Sequence, residues 1–252
     1  MSELLNKAFT LLSLLKPREG KKEWGAAELS RLAGFNTATT HRILQDLQQY
    51  GFVSQNQENK KFFLGSFLIE LGFLAQSLYS IRDVARPFME EVQHKTGESV
   101  YLNILVNSTE ALLIDSVDSD HQLRVYEPIG LRLPLHIAAT RRAILAFMEP
   151  SVQKEYLDNC KIESRTSKTI NSKEALVAEL NLIQERGYAV SFGETTLGTA
   201  GVAVPIFGPR GVEGSLGIAT PEVRLNDERI TEYAKMLKLQ AEKIKASIGG
   251  AK

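Results

Sequence analysis

The sequence predicts an α+β protein with an N-terminal winged helix-turn-helix, a linker helix and a C-terminal domain whose largely antiparallel sheet is flanked by helices. Three observations predict this fold. Apolar residues recur at helical spacing over the first fifty positions, two β-prone runs then surround an Asn-rich turn, and from Ser99 onward further β-prone runs alternate with helical patterns. The expected boundaries are 1–65 for the winged helix-turn-helix, 66–80 for the linker helix, and 81–252 for the C-terminal domain.

The composition is that of an ordinary globular protein, because 43% of its 252 residues are hydrophobic and 24% are charged. Thirty Lys and Arg balance thirty Asp and Glu, so no overall field indicates a nucleic acid or a membrane as partner. Residues 1–64 nevertheless hold nine basic and six acidic side chains, an excess whose sign suits contact with phosphate.

Cysteine usage and hydropathy limit the classes of protein further. The single cysteine, Cys160, excludes an internal disulfide and a multi-cysteine metal cluster. No apolar stretch approaches the roughly 20 residues that a membrane span needs, and the N-terminus lacks a secretory cleavage site. We therefore expect a cytoplasmic protein with no membrane segment, no metal site and no cofactor.

The first two helices are predicted from apolar spacing and from residues that end helices. The first covers about residues 4–16, and the second covers Ala26–Ala33 with Ala27, Leu29 and Leu32 facing inward. A third helix begins after a cap at Asn36 or Thr37 and runs to about residue 50. The runs FVSQ and KFFLG then form a hairpin, which completes the plan of a winged helix-turn-helix.

The third helix has two faces on a helical wheel. One face can pack on the first two helices and consists of Thr40, Ile43, Leu44, Leu47 and Tyr50. The other face carries hydrogen-bonding groups, and its Arg42 can bind a phosphate or a guanine edge. This face could instead be solvated, but the order of elements and the absence of early acidic residues favour DNA binding. The predicted DNA contacts, including two wing lysines, are Thr37, Ala38, Thr39, His41, Arg42, Gln45, Lys60 and Lys61.

The number of contacts predicts an oligomer. Three or four contacts per copy give weak, salt-sensitive binding, so useful affinity for double-stranded operator DNA requires two copies on two half-sites. The helix predicted over residues 67–78 has more apolar positions than one face can hold, and we expect it to be buried against a partner chain or a neighbouring domain.

The C-terminal domain is predicted to contain six strands. The first three are SVYLNILVN, EALLIDSV and QLRVYEPIG, and the last three are GYAVSFGE, GVAVPIF and GSLGIAT. Between the two groups, LPLHIAATRRAILAFM is expected to pass from a strand edge into a helix. Helices are expected over about 81–96, after the LPLH segment, over 151–159 and 172–186, and over 225–248.

Several stretches of the chain resemble the IclR family of bacterial transcriptional regulators. They are LSRLAGFNTATTHRILQDLQQYGFV in the first half, and EPIGLRLPLHIAATRRAILA and ERGYAVSFGETTLGTAGVAVPIFGPRGVEGSLGIATP in the second. The resemblance implies a winged helix, a linker helix that pairs subunits, and a C-terminal domain related to the GAF fold. It also implies dimers or tetramers on operator DNA and a small-molecule effector, often an organic acid from catabolism.

The resemblance places the effector pocket between the sheet and the helix that follows the PLH segment. Matching motifs assign its lining to Gln122, Val125, Ala139, Thr140, Ser191, Thr199, Gly201, Gly217 and Ala219. A helix N-terminus beside hydroxyl groups can hold a carboxylate without a full ion pair.

Two features depart from the family pattern. Arg141 and Arg142 replace the family's Gly-Lys, and Arg141 either adds a cation to the pocket mouth or points to solvent. Gly217 and Ala219 lack the hydroxyl groups often found on the last strand, which predicts an effector larger or less polar than a two- or three-carbon keto acid.

Other chemistry is less favoured by the sequence. His136 is interpreted as a core histidine bonded to the backbone, because no second ligand lies at metal-binding spacing. Glu194 with Ser191 and Thr199 could imitate a catalytic set, but no base partner is apparent and a structural role is favoured. Since no GxSxG, Walker A, GxGxxG or HExxH motif occurs, we predict a ligand-responsive regulator with no catalytic residues. The alternative is a C-terminal enzyme that acts on a small acid, with DNA binding secondary.

Overall fold

The computed structural model describes residues 3–17, 20–78, 81–209 and 211–250. The chain divides into two compact units, residues 1–79 and residues 80–252. The finer boundaries expected at 65/66 and 80/81 stay a prediction, and residues 79 and 80 at the end of the predicted linker lie outside the described residues.

The first unit has the element order of a winged helix-turn-helix followed by a further helix, which confirms this part of the predicted fold. Its helices and strands are α1 (Glu3–Leu14), α2 (Ala26–Ala33), α3 (Thr37–Gln49), β1 (Val53–Gln55), β2 (Phe62–Leu64) and α4 (Phe67–Leu78). β1 and β2 pair antiparallel and form the wing, with residues 56–61 as its turn.

The core of the first unit joins the three helices to the wing. Its buried side chains are Leu11, Leu15, Trp24, Leu29, Ile43, Leu44, Val53 and Phe62. The predicted inward face of α2 is partly wrong, because Ala27 and Leu32 are exposed and Ser30 is buried in their place. The Ser30 hydroxyl donates to the Phe35 carbonyl oxygen at 2.7 Å, and this bond satisfies the buried polar group.

The wing ends against the end of α3 through main-chain atoms. The Gly65 N–H donates to the Phe52 carbonyl oxygen at 2.8 Å. A Cβ atom at position 65 would lie 2.1 Å from the carbonyl oxygen of Gly51, so no residue with a side chain fits there.

The second unit contains a six-stranded sheet with helices on both faces. Its elements are α5 (Ile81–Thr96), β3 (Ser99–Leu105), β4 (Glu110–Val117), β5 (Arg132–Pro134), α6 (Ala138–Leu145), α7 (Pro150–Asn159), α8 (Lys173–Arg186), β6 (Ala189–Phe192), β7 (Thr199–Gly208), β8 (Gly211–Pro221) and α9 (Asp227–Gly250). The strand order is β5-β4-β3-β8-β7-β6, and every described pairing is antiparallel, as predicted.

Two hydrophobic clusters lie on opposite faces of this sheet. α5 and α9 pack on one face, where Met89 and Leu237 contact the strand residues of the larger cluster. α6 and α8 pack on the other face, where Ala143 and Leu180 belong to the second cluster. α6 approaches β8 closely at Gly217, where an added Cβ would lie 2.5 Å from Thr140 Cγ2.

The third strand predicted in this domain is wrong. Residues 118–131, which we call the strap, form neither helix nor strand, and β5 follows them. The Ser99 and Tyr101 hydroxyl groups both donate to the Val125 carbonyl oxygen at 2.9 Å. Because side chains rather than a neighbouring strand satisfy this carbonyl, the β-prone residues around Val125 have no ladder to join. Main-chain bonds to β4 begin only at Gly130 and Leu131, which pair with Leu113.

Candidate functional site

The recognition helix α3 begins at an unambiguous cap. The Asn36 side-chain oxygen accepts a hydrogen bond from the Thr39 N–H at 2.7 Å, which settles the cap as Asn36 rather than Thr37. Thr40, Ile43 and Leu44 are buried and fix the rotation of the helix in its unit.

The predicted DNA contacts lie together on the outer surface of the first unit. Thr37, Ala38, His41, Arg42, Gln45, Lys60 and Lys61 are exposed, and Thr39 is half-buried. Within the described part of the chain, no side chain forms an ion pair or hydrogen bond with the Arg42 guanidinium. Tyr50, predicted on the packed face, is exposed, because α3 ends at Gln49 and the chain turns there.

The wing is held in place by an acidic residue that the sequence analysis did not identify. The Glu23 carboxylate accepts hydrogen bonds from the amide groups of Asn56 at 3.0 Å and Asn59 at 2.7 Å. These two bonds lower the pKa of Glu23 below its ordinary value, so the carboxylate stays ionised and keeps both partners. The turn that carries Lys60 and Lys61 is therefore tied to the segment before α2.

A cavity in the second unit lies between the strap, α6 and the strands β6, β7 and β8. Seven of the nine predicted effector residues line it, namely Val125, Ala139, Thr140, Ser191, Thr199, Gly201 and Ala219. Gln122 is exposed on the strap, and Gly217 is buried beneath Thr140, so these two lie outside the lining. The lining also contains Tyr101, Glu127, Arg141 and Glu194, which the family motifs did not assign to the pocket.

Glu194 and Arg142 form a buried ion pair at the start of α6. The same Glu194 oxygen accepts a hydrogen bond from the Ala138 N–H at 3.1 Å, so it also caps the helix. Arg142 donates in addition to the carbonyl oxygens of His136 at 3.3 Å and Val190 at 2.8 Å. The structural role expected for Glu194 agrees with these contacts.

Arg141 is buried like Arg142, but unlike Arg142 it lines the cavity. Its side chain is 1% exposed, so the alternative in which it points to solvent is wrong. Its Nη2 donates to Glu127 Oε2 at 3.0 Å, while its Nε is buried without a hydrogen-bond partner in the described residues. The lining contains one arginine and two glutamates, and Arg142, which lies outside the lining, balances the charge of Glu194.

Two titratable groups of the core support this arrangement. Burial raises the pKa of the Tyr101 hydroxyl well above its ordinary value, so Tyr101 stays protonated. It donates to the Val125 carbonyl and accepts from the Glu127 N–H, both at 2.9 Å. His136 is fully buried, as predicted for a core histidine. Its Nδ1 lies 2.7 Å from the Tyr156 hydroxyl, and the expected backbone contact is the longer one, 3.5 Å from Nε2 to the Glu163 carbonyl oxygen. Burial lowers the pKa of His136, which favours the neutral ring.

The cavity is small in this conformation. The space open to the centres of water molecules is about 30 Å³, room for roughly two waters when one needs about 10–15 Å³. Thr140 fills the space beside Gly217, so the missing hydroxyl there does not enlarge the cavity. The prediction of a larger effector loses that basis. Among the residues that the structure describes, no group of three His, Cys, Asp or Glu side chains could hold a metal ion.

Comparison with known proteins decides the family. Residues 4–57 match the IclR helix-turn-helix domain, and residues 74–246 match the bacterial transcriptional regulator IclR C-terminal domain. The chain belongs to the IclR family of transcriptional regulators. It is 32% identical over 246 residues to the HTH-type transcriptional regulator KdgR of Escherichia coli K12, which covers 97% of this chain and 93% of that protein.

Two further relatives show how much of this IclR-family chain is shared. It is 30% identical to the transcriptional repressor IclR of E. coli K12, over 88% of this chain and 82% of that protein. It is 28% identical to an IclR regulator from Alicyclobacillus acidocaldarius whose crystal structure superposes with a TM-score of 0.85, covering 99% of this chain and 100% of that chain. These relatives are ligand-responsive DNA-binding regulators by family and not enzymes, so the alternative of a C-terminal enzyme has no support.

One feature of the sequence could have identified Arg141 and a partner such as Glu127 as residues of the cavity. An arginine where the family has glycine, next to a buried helix start, requires a counter-charge nearby. The identity of that partner depends on the path of the strap, which the β-prone pattern predicted wrongly.

No helix in the described parts of the chain has the length and apolarity to span a bilayer.

Proposed function

We propose that this protein is a cytoplasmic repressor of a catabolic operon that binds double-stranded operator DNA and responds to a small organic acid. The winged helix-turn-helix over 1–65 binds the operator, the linker segment over 66–80 pairs subunits through α4, and the domain over 81–252 binds the effector. The observation that carries this proposal is the exposed polar face of α3 beside a fixed wing, in a chain of a DNA-binding family.

The DNA contacts follow from the chemistry of the exposed residues. Arg42 and Gln45 present donors that suit base edges in the major groove, and the small residues Thr37 and Ala38 allow the start of α3 to approach them. Lys60 and Lys61 on the wing supply phosphate contacts, which add affinity but no sequence preference.

Exposed apolar side chains on α4 support the proposed dimer or tetramer. Ile69 is 62% exposed and Phe73 is 68% exposed, in a helix whose other side chains are largely apolar. Such a surface gains free energy when it is covered by a second copy. Pairing two copies also supplies the two half-sites that operator binding needs.

The cavity lined by Val125, Ala139, Thr140, Ser191 and Thr199, with Gly201 and Ala219, is the proposed effector site. An effector with different affinities for two arrangements of the oligomer shifts their populations and thereby the affinity for DNA. The likeness to a repressor supports the negative sign of regulation.

The test is a titration of the DNA upstream of the protein's own gene with the full-length chain, at two salt concentrations and against a scrambled duplex of equal length. We expect tighter binding to the upstream DNA at both concentrations, and weaker binding of both duplexes at higher salt. Equal affinity for the two duplexes would contradict the proposal. A screen of organic acids then identifies those that release the upstream DNA.

A further inference from the structure

In the cavity of the second unit, Arg141 already binds a carboxylate, which is the side chain of Glu127. Glu127 lies on the strap and reaches Arg141 through one oxygen, 3.0 Å from Nη2. The arginine is 1% exposed and the glutamate 13% exposed, so the pair is shielded from solvent and weakly screened.

The Arg141–Glu127 contact leaves part of the arginine unused. Nε and Nη2 form one edge of the guanidinium, and a carboxylate that binds both atoms makes two parallel hydrogen bonds. Glu127 uses Nη2 alone, and the buried Nε has no partner among the described residues. A free carboxylate that engages the whole edge therefore gains a hydrogen bond that Glu127 does not make.

The strap is anchored at both ends, by Ser119 near its start and by main-chain bonds of Gly130 and Leu131 to Leu113 at its end, and side chains hold its middle. Tyr101 and Ser99 bind the Val125 carbonyl, and Arg224 donates to the Leu123 carbonyl at 3.0 and 3.1 Å. Its 14 residues form no helix or strand, and long segments of this kind are often lids over binding sites. Leu123 and Tyr126 on it are exposed apolar residues.

The size of the cavity requires this segment to move. The present space of about 30 Å³ holds roughly two waters. Any organic acid with more than a few heavy atoms needs more room. Two parts of the lining belong to no helix or strand, the strap and the loop over residues 193–198. Thr166 and Thr169 hold that loop through the carbonyl oxygens of Gly193 and Glu194, at 2.6 and 2.8 Å, so the strap is the part we expect to move.

We propose that Glu127 is an internal competitor of the effector. The effector's carboxylate binds the Nε–Nη2 edge of Arg141, displaces Glu127 and frees the strap from the cavity. Arg141 then selects carboxylates over neutral analogues, and Glu127 sets the concentration of effector that is needed. This inference rests on the proposed effector site and adds the residue that recognises the ligand and the one that opposes it.

The test compares full-length wild-type protein with Glu127→Gln, which keeps the shape but removes the charge. Loss of the charged acceptor weakens the contact with Arg141, so we expect hydrogen exchange of strap amides to accelerate about tenfold without ligand. The variant also leaves a buried arginine without its counter-charge, so exchange in β7 and β8 is the control for general destabilisation and should accelerate less than exchange in the strap. Glu110→Gln is the matched control, since it breaks an exposed ion pair with Arg132 at 3.0 Å and does not line the cavity.

Binding is measured by calorimetry with formate, acetate, pyruvate and benzoate, and with acetamide and benzamide as neutral probes. We expect carboxylates to bind Glu127→Gln about tenfold more tightly than wild type and Arg141→Lys at least about tenfold more weakly, because lysine lacks the two-donor edge. The amides should bind neither protein. If Arg141→Lys does not fold, the comparison of wild type with Glu127→Gln still decides.

The inference is overturned if strap exchange is unchanged in Glu127→Gln, if carboxylates bind wild type and Glu127→Gln equally, if amides compete with carboxylates, or if no carboxylate binds either protein. The proposed function fails in a different way. In that case a carboxylate binds and accelerates strap exchange, but the affinity for upstream DNA does not change.

Discussion

Arg42 on α3 and Arg141 in the cavity are both proposed to bind an anion, yet their surroundings are opposite. Arg42 is exposed and has no partner in the described part of its unit. Arg141 is buried and paired with Glu127. An exposed arginine stays hydrated until a phosphate arrives, whereas a buried arginine is stable only with a counter-charge. Under the two proposals, DNA binds by addition to a free surface, and the effector binds by exchange with an internal group.

The largest expected effect comes from leaving a charge of the cavity unpaired. Arg142→Met removes the partner of Glu194, and breaking a buried ion pair costs about 3–5 kcal/mol in free energy of unfolding. Urea unfolding followed by circular dichroism measures this loss. The fluorescence of Trp24, the single tryptophan and a residue of the first unit, provides an internal control that should not shift.

The double variant Arg142→Met with Glu194→Leu separates charge from packing. It should be more stable than the single variant, because no buried charge is left without a partner. A single variant that loses less than about 1 kcal/mol would show that solvent reaches the pair and would weaken the contrast with Arg42.

The next prediction concerns the packing that closes the cavity. Gly217→Ala places a Cβ about 2.5 Å from Thr140 Cγ2, and such overpacking costs about 1–3 kcal/mol in stability. Adding Thr140→Ser removes the clashing methyl group and should recover part of the loss. Thermal unfolding measures both variants, and an unchanged Tm for Gly217→Ala would show that α6 moves freely away from β8.

Arg42→Ala tests the exposed half of the comparison. Affinity for the operator should fall by about 1–3 kcal/mol if the arginine contacts a base, while protein stability should not change. Lys16→Ala, which removes an exposed charge at the end of the first helical segment, is the control and should have little effect. Equal losses in the two variants would indicate that total charge, and not the α3 face, determines binding.

The smallest effect is expected at the wing. Glu23→Ala releases Asn56 and Asn59, and operator affinity should fall less than in Arg42→Ala because no direct DNA contact is lost.

The lowered pKa of Glu23 sets the sign of the pH dependence of stability. Its stabilisation is present above its ordinary value of 4.5 and is lost as the pH falls through the lower pKa of the folded protein.

Thermal unfolding followed by Trp24 fluorescence measures this dependence. The difference between wild type and Glu23→Ala should be constant near neutral pH and should disappear in strong acid. A difference that grows in acid would contradict the proposed ionised form of Glu23.

The recognition helix could be predicted from the sequence because its faces depend on local spacing. A helical wheel places Ile43 and Leu44 inward and Arg42 outward once the cap is known, and the buried residues of α3 follow that division. The wheel fails at Tyr50, where the helix has ended.

The cavity could be predicted only in part. Family motifs assigned lining residues on regular elements, including Ala139 and Gly201. The strap was predicted to be a strand because its residues have high β-propensity, but two hydroxyl groups distant in sequence bind its Val125 carbonyl. Glu127 lies on this strap, so its pairing with Arg141 could not be predicted from local pattern.

The contact between residue 65 and the carbonyl of Gly51 has a consequence for how operators of this protein can vary. The contact is between main-chain atoms, so substituting side chains cannot change the distance between α3 and the wing. Evolution can change which bases are preferred by altering residues on the helix surface. The number of base pairs between helix and wing footprints should stay the same in every operator that this protein binds.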